Sequence, residues 1–278
     1  MTALGVEQSQ RAGRELRDMF DSIKKNGKNK KNGQRIHFVV SPLRRALQTT
    51  EGILSQLTMR DPTNDGDPTN DDDDDEDDDE EGLRIKVTVH PAAAEILRDP
   101  CDIGTPVQQL EKEFPNCFDW GLVRRRASSA GSPSHEGGIW WGTGRYNASE
   151  SWKRMRMGLP DGVETDDQVE ERLQGLRDYI CKLSASDVVV IVCHSETIWC
   201  LSSLRGMDGD MYGIWTKNGE IVDLTERILR PPHEDTATEA SSQSGGGGSS
   251  GGSSSRSSSS GESSGLDERY QPFEVFLT

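Results

Sequence analysis

The sequence lacks any long apolar run. Its 278 residues hold no stretch of about 18 consecutive apolar residues, the length that a membrane-spanning helix needs. The first residues, Met-Thr-Ala-Leu-Gly, have neither the positive charge nor the apolar core of a secretory signal peptide. These two absences predict a cytoplasmic protein that does not associate with a membrane.

Cysteine is scarce, and its spacing does not indicate pairing. The five cysteines are odd in number, and no two of them stand at the close spacing of zinc ligands. Reduced thiols are therefore expected rather than a disulfide framework. The sequence also predicts no metal site and no cofactor.

The chain has little surplus positive charge, because 32 Lys and Arg residues stand against 48 Asp and Glu residues. Fourteen of these acidic residues lie between Asp61 and Glu81, and removing them takes the net charge from -16 to -2. The nearly neutral remainder offers no broad basic face to nucleic acid. Residues 61–82 are predicted to be a disordered acidic insert, and residues 241–265, almost entirely Ser and Gly, a disordered linker.

An unbroken apolar run, Val-Val-Val-Ile-Val-Cys at residues 188–193, ends at His194. The absence of alternation predicts a strand buried on both faces, as in a parallel sheet covered by helices. Ligands of open parallel sheets bind at the carboxyl ends of strands, where a following helix presents N–H groups to an anion. His194 is therefore predicted to lie at a functional strand end.

Other segments show alternating helix and strand patterns. Residues 36–40 predict a buried strand, and residues 83–89, which alternate apolar with polar residues, predict a half-exposed strand near the sheet edge. Thr165 and Gln168 form a capping box before the clearest amphipathic helix of the chain. This alternation predicts an α/β fold, three-layer αβα with a mostly parallel sheet.

The domain boundaries follow from the same patterns. Residues 1–230 are predicted to form one domain, within which the irregular residues 100–160 form a cap region with one short helix. Short strands are expected at residues 221–224 and at residues 273–277 of the C-terminal segment 266–278, on either side of the Ser/Gly linker.

A second strand end carries an arginine. Ser41 and Pro42 follow the strand at residues 36–40, and proline suits the first turn of the helix predicted there. From this helix Arg45 can bind a phosphate through two parallel hydrogen bonds, and the helix start adds N–H donors. Arg45 and His194 together therefore predict a phosphate pocket.

Residues 41–49, Ser-Pro-Leu-Arg-Arg-Ala-Leu-Gln-Thr, resemble the Ser-Pro-Leu-x-Arg-Ala-x-Gln-Thr segment of the histidine phosphatase superfamily, the phosphoglycerate mutase-like proteins. Residues 2–8 resemble the family's Leu-Thr-x-x-Gly-x-x-Gln helix start. Glu95 lies in the region of its acidic residue, and residues 192–194 resemble its second-histidine strand. The resemblance covers most of the chain outside the inserts and implies a phosphoglycerate mutase-like fold.

In that family a histidine nucleophile becomes phosphohistidine, arginines and a second histidine hold the phosphate, and a carboxyl group protonates the leaving oxygen. The resemblance implies that Arg45 and His194 bind the phosphate and that His194 and Glu95 are catalytic. Glu95 would be the proton donor, which requires a pKa raised by burial, and Glu196 is the weaker alternative. The implied activity is hydrolysis of a phosphate monoester or phosphoryl transfer, on a phosphorylated small molecule or a phosphoprotein. No metal is required, because arginines and histidines would supply the positive charge.

The family's first strand, which ends in Arg-His-Gly and carries the nucleophile, would precede residue 2. None of His37, His90, His135 and His233 stands in such a triplet. We therefore expect an N-terminally incomplete fold, exposed strand edges where the absent strand would pair, and no catalysis by the chain as written. Two explanations stay open, an incomplete sequence and a protein that has lost catalysis. The alternative function is a non-catalytic module for phosphate binding or protein interaction.

Overall fold

The described residues form a mixed α/β structure around a sheet in which four adjacent strands are parallel. This computed structural model describes residues 1–26, 35–58, 84–115, 117–129, 163–183, 188–205, 211–229 and 273–277. The helices are α1 (Ala3–Asn26), α2 (Arg44–Thr58), α3 (Val107–Glu113), α4 (Gly121–Ser129), α5 (Asp166–Cys181), α6 (Ser195–Ser202) and α7 (Thr225–Leu229), with short 3-10 helices at Pro91–Ala93 and Pro100–Asp102. The strands are β1 (Arg35–Val40), β2 (Arg84–Val89), β3 (Val188–Cys193), β4 (Leu204–Arg205), β5 (Met211–Tyr212), β6 (Ile221–Asp223) and β7 (Phe273–Leu277). The acidic segment 61–82 and the Ser/Gly segment 241–265 lie outside the described residues.

The main sheet has the strand order β2-β1-β3-β7-β6, in which all neighbours are parallel except β6 and β7. The predictions of strands at residues 36–40, 83–89 and 188–193 are confirmed, and β2 forms an edge with its first half outside the core. In the register of β1 and β3, Val40 pairs with Val192. The Ser41 N–H donates to the Val192 carbonyl at 2.8 Å, so Ser41 and His194 leave the sheet at the same edge.

Apolar clusters cover both faces of the sheet. The even-numbered residues of β1 and β3 pack in one cluster with α1 and α2, and Val39, Val189 and Ile191 pack in another with α5 and α6. Successive side chains of a strand point to opposite faces, so helices on both faces explain why β3 is apolar at every position. Among the described residues, no helix has the length and apolar character needed to cross a membrane.

Helix starts are set by side-chain and backbone caps. The predicted capping box of α5 is confirmed, because the Thr165 N–H donates to Gln168 Oε1 at 2.9 Å and the Gln168 N–H donates to Thr165 Oγ at 3.4 Å. The prediction that Pro42 lies in the first helical turn is wrong. The Leu43 N–H donates to Ser41 Oγ at 3.2 Å, and this local turn delays the start of α2 to Arg44.

The unpaired strand edge that was expected from the absent first strand is not found beside β3. The C-terminal strand β7 pairs there in parallel, from Val189 opposite Phe273 to Cys193 opposite Leu277. The expectation was wrong because a segment about 80 residues further along the chain supplies the pairing, which local patterns do not reveal. The strands expected at residues 221–224 and 273–277 are found, as β6 and β7.

The described part of residues 100–160 packs into the main core. The short helix predicted there is α3. Helix α4 was not predicted, because the arginines in its sequence make its apolar face hard to recognise. Residues 130–160 of the predicted cap lie outside the described residues. The side chains that join this region to the core cluster are Val107, Leu110, Phe114, Trp120 and Val123.

Candidate functional site

The Arg45 guanidinium is the centre of the candidate site. Arg45 lies in the first turn of α2, and its side chain is 40% exposed. Its Nε donates to Nδ1 of His194 at 3.2 Å, its Nη1 to the Cys101 carbonyl at 3.1 Å, and its Nη2 to Oδ1 of Asp102 at 3.2 Å. The structure thus brings together Arg45 and His194, which the sequence placed at two separate strand ends, and adds Asp102, which the sequence did not indicate.

The protonation of His194 follows from its two partners. Because the arginine N–H can only donate, Nδ1 of His194 is the acceptor, and the ring proton lies on Nε2. Nε2 therefore donates to Ser41 Oγ at 2.7 Å. Burial, followed by the charges of Arg45 and Arg172, holds the pKa of His194 well below its usual range. The ring, 1% exposed, is therefore neutral with both nitrogens engaged.

The contact between His194 and Ser41 is not a nucleophile–base pair. A nucleophilic serine must give its proton to an unprotonated histidine nitrogen. Here Ser41 Oγ accepts from His194 Nε2 and also from the Leu43 N–H. Ser41 is fully buried as well. The pair therefore fixes the imidazole, and a serine-nucleophile mechanism is not supported.

Glu95 lies beside the start of α6, for which His194 is the N-cap residue. Its Oε1 accepts from the Ile96 N–H at 3.0 Å and from the Thr197 N–H at 3.3 Å, and the Thr197 hydroxyl lies 3.2 Å away. Burial is the main cause that raises the pKa of Glu95; those hydrogen bonds oppose it, and the carboxylates of Glu196 and Asp102 add to it. A raised pKa is the direction that a proton donor needs.

Glu196, the weaker alternative for the donor, lies in the first turn of α6. Its side chain is 39% exposed and pairs with Arg98, with 3.7 Å between Oε2 and Nε. Glu196 is therefore closer to solvent than Glu95 and faces a compensating cation.

Arg172, on α5, holds the backbone that carries Glu95, and it was missed by the sequence analysis. Its Nε and Nη2 donate to the two oxygens of Glu164 at 2.6 and 2.9 Å, and its Nη1 donates to the carbonyls of Ala92 and Ala94 at 2.7 and 3.0 Å. The Arg172 and Glu164 side chains are only 16% and 12% exposed. One feature of the sequence could have indicated this role. Arg172 follows Val169 by three residues, so the arginine lies on the same side of the helix as the apolar residues.

The other two described histidines lie under α5, packed around Tyr179. The His90 ring centroid is 4.7 Å from that of Tyr179, and His90 Nδ1 accepts from the Ala92 N–H at 3.2 Å. Burial lowers the pKa of His90 to about 4. Nε2 of His37 lies 3.0 Å from the Thr88 hydroxyl. Both rings are buried structural groups, and His135 and His233 lie outside the described residues.

The positive charge expected at the site is compensated. His194 is neutral, and the three nearby arginines each pair with a carboxylate: Arg45 with Asp102, Arg98 with Glu196, and Arg172 with Glu164. In the described ranges, no cluster of three or more His, Cys, Asp or Glu side chains could hold a metal ion. Arg45 is a half-exposed cation at the strand ends, and its affinity for an anion depends on its carboxylate partner.

A surface groove of about 650 Å³ lies elsewhere, between α1 and the turn before β6. Its polar lining includes Gln8, Arg11, Lys217 and Glu220. Arg11 already pairs with Glu15, and the Glu220 carboxylate accepts from the Lys217 backbone N–H. Its charges balance within the groove, so its chemistry favours no particular ligand.

What the site can bind follows from its own chemistry, which is a half-exposed guanidinium at the carboxyl ends of two strands, beside a neutral histidine and a carboxyl group of raised pKa. No family model, no curated protein and no solved structure matches this chain.

Proposed function

We propose that this chain forms a three-layer αβα domain of the phosphoglycerate mutase-like type that binds a phosphate monoester at Arg45. The half-exposed Arg45 guanidinium, which belongs to the first turn of α2 and bonds the N-cap residue of α6, is the observation that carries the proposal. Arginine binds phosphate oxygens in pairs, and helix N-termini favour an anion.

His194 serves this binding by orienting the arginine. Its Nδ1 accepts the Arg45 Nε–H, which fixes the orientation of the guanidinium, and the two Nη groups bond to Cys101 and Asp102 instead of the ring. Because His194 is 1% exposed, the ligand binds at the Nη edge and the imidazole acts behind it. The ligand is a phosphorylated small molecule or a phosphoprotein of the cytoplasm, where the five free cysteines stay reduced.

The test compares two neighbouring arginines of equal exposure. The Arg44 side chain is also 40% exposed, but its Nε pairs with both oxygens of Glu113 at 2.8 and 2.9 Å, away from His194. Arg45→Gln should weaken the affinity for inorganic phosphate about tenfold or more, the size of one charge-assisted hydrogen bond, and Arg44→Gln should leave it within about twofold. Isothermal titration calorimetry measures both. Equal losses in the two variants would overturn the assignment of the site to Arg45.

We further propose that this chain binds a phosphate monoester without hydrolysing it. The three described histidines are buried and hydrogen-bonded inside the fold, so none of them is placed to attack the phosphorus. It should release no 4-nitrophenol from 4-nitrophenyl phosphate above background. Turnover that disappears in Arg45→Ala would contradict this.

A phosphohistidine enzyme is the second candidate function. The raised pKa of Glu95 favours this candidate. A carboxyl group that stays protonated nearer neutrality can donate a proton to a leaving group, a role that phosphate binding alone does not need. Acid-labile phosphate on the protein, detected by 31P NMR after incubation with a phosphate monoester, would support this candidate. Its complete absence with a bound ligand would favour the binding module.

A further inference from the structure

The Asp102 carboxylate occupies part of the Arg45 edge at which an anion would bind. Oδ1 of Asp102 accepts from Nη2 at 3.2 Å, and the Cys101 carbonyl accepts from Nη1 at 3.1 Å. The Asp102 side chain is only 8% exposed, whereas that of Arg45 is 40% exposed. Each Nη group therefore already has an oxygen partner from the same short segment.

Local backbone bonds hold this carboxylate in place. The Asp99 N–H donates to Oδ2 of Asp102 at 3.1 Å, and the Asp102 N–H donates to the Asp99 carbonyl at 3.0 Å, within the 3-10 turn Pro100–Asp102. Such a turn presents Asp102 to Arg45 without any ligand.

We propose that the Asp102 carboxylate competes with an anion for the Arg45 guanidinium. A phosphate must displace this carboxylate from Nη2 of Arg45 before the phosphate can bind both Nη groups. This inference rests on the proposed phosphate binding. A ligand that replaces Asp102 exchanges one charge-assisted hydrogen bond for another, so it gains only from its additional contacts. Free phosphate therefore binds weakly, and a ligand with further contacts is needed to open the site.

The carboxylates around Arg45 also weaken the binding of an anion. The Asp102 carboxylate raises the pKa of Glu95, so the two groups interact electrostatically, and the Glu196 carboxylate acts on Glu95 likewise. Arg45 and Arg98 are the cations paired with Asp102 and Glu196. Neutralising Asp102 would free Nη2 and would also remove one negative charge that repels an entering anion.

A different binding mode makes the opposite prediction. An arginine has five N–H groups, and within the described part of the chain Arg45 uses three of them. A phosphate that bound only the remaining two would leave Asp102 in place. Its affinity would then change little when the Asp102 charge is removed at constant high salt, where distant repulsion is screened.

The experiment measures inorganic phosphate binding by calorimetry at one high ionic strength in the wild-type chain, Asp102→Asn and Glu113→Gln. Glu113 is the matched control, because it gives the same charge to Arg44 and its side chain is 35% exposed. Asp102→Asn should bind phosphate about tenfold more tightly, the worth of one released charge-assisted bond, and Glu113→Gln should match wild type. The gain should disappear in the double variant Arg45→Gln/Asp102→Asn.

Three results would overturn the inference. Equal phosphate affinity in wild type and Asp102→Asn would overturn it and leave the proposed function standing. An equal gain in Glu113→Gln would show a general charge effect, with the same consequence. No phosphate binding by either wild type or Asp102→Asn would overturn both. If Asp102→Asn unfolds at the working temperature, Asp102→Ser, which keeps an acceptor for the Asp99 N–H, replaces it.

Discussion

The Nε atom of Arg45 lies 3.2 Å from Nδ1 of His194, and this hydrogen bond decides which nitrogen of the histidine carries the proton. The two residues are 149 positions apart in the chain, and the pairing of β1 with β3 brings them together. A guanidinium has no acceptor, so the bond exists only when Nδ1 is unprotonated.

His194 should therefore be a neutral imidazole with its proton on Nε2. Heteronuclear NMR of 15N-labelled protein reports the tautomer directly. The signal should stay unchanged as the pH falls through about 6.5, where an exposed histidine titrates. Arg45→Gln removes the larger of the two cationic effects on His194 and should raise its pKa. A proton on Nδ1 in the wild-type protein would contradict the geometry.

Arg172 and Glu164 form a part-buried ion pair, with side chains 16% and 12% exposed, and removal of one partner should be costly. Arg172→Met leaves the part-buried Glu164 carboxylate without its cation and the carbonyls of Ala92 and Ala94 without this donor. The free energy of unfolding should fall by about 3 kcal/mol or more, measured by urea unfolding. The loss should be smaller in the double variant Arg172→Met/Glu164→Leu, because no buried charge remains unpaired.

The control for the Arg172–Glu164 pair is Arg11→Gln. This variant removes the surface ion pair between Arg11 and Glu15, whose side chains are 55% and 51% exposed, respectively. Its cost should not exceed about 0.5 kcal/mol. Similar costs at the two sites would show that burial of Arg172 contributes little.

His90 should make the protein less stable in weak acid. Its folded-state pKa is about 4 against an ordinary value of 6.5, because burial disfavours the charged ring. As the pH falls from 6.5 towards 4, the unfolded chain binds a proton that the folded chain does not, so stability is lost across this window at about 1.4 kcal/mol per pH unit. Above the window His90 causes no pH dependence.

The variant His90→Asn isolates this effect, because its side-chain oxygen can still accept the Ala92 N–H. Urea unfolding at a series of pH values should show a shallower slope for His90→Asn than for wild type between pH 6.5 and 4. Parallel slopes would mean that His90 titrates normally in the folded protein.

Two glycines let α1 and α2 pack closely. A Cβ on Gly13 would lie 2.7 Å from the Ile53 carbonyl oxygen, and a Cβ on Gly52 would meet the Ser9 side chain, which is itself buried. Gly52→Ala should therefore destabilise the fold by about 1 to 3 kcal/mol, in the range of overpacking.

Gly175→Ala is the matched control, because a Cβ at Gly175 in α5 meets no atom within 4 Å. Alanine is the better helix former, so this variant should gain about 0.5 to 1 kcal/mol. Thermal unfolding compares the two. A loss in Gly175→Ala similar to that of Gly52→Ala would show that helix packing does not distinguish these positions.

Much of the fold could be predicted because its signals are local. The apolar run of β3, the alternation of β2 and the capping box of α5 each lie within a few neighbouring residues. The meeting of Arg45 with His194 could also be predicted, since the carboxyl ends of neighbouring parallel strands share one edge. The catalytic and binding roles of Arg45, His194 and Glu95 stay predictions that the experiments above test.

The remaining features depend on residues far apart in the chain. Asp102 meets Arg45 across 57 positions, Arg172 meets the Ala92 carbonyl across 80, and β7 pairs with β3 from the C-terminal end. No local pattern encodes these contacts. The amino-acid sequence alone determined the parallel strands, their helices and an arginine at a strand end, because periodicity and capping act over one or two turns. Only the tertiary structure decided that this arginine already holds a carboxylate and that His194 is neutral, because charge pairing and desolvation depend on which groups the fold brings together and buries.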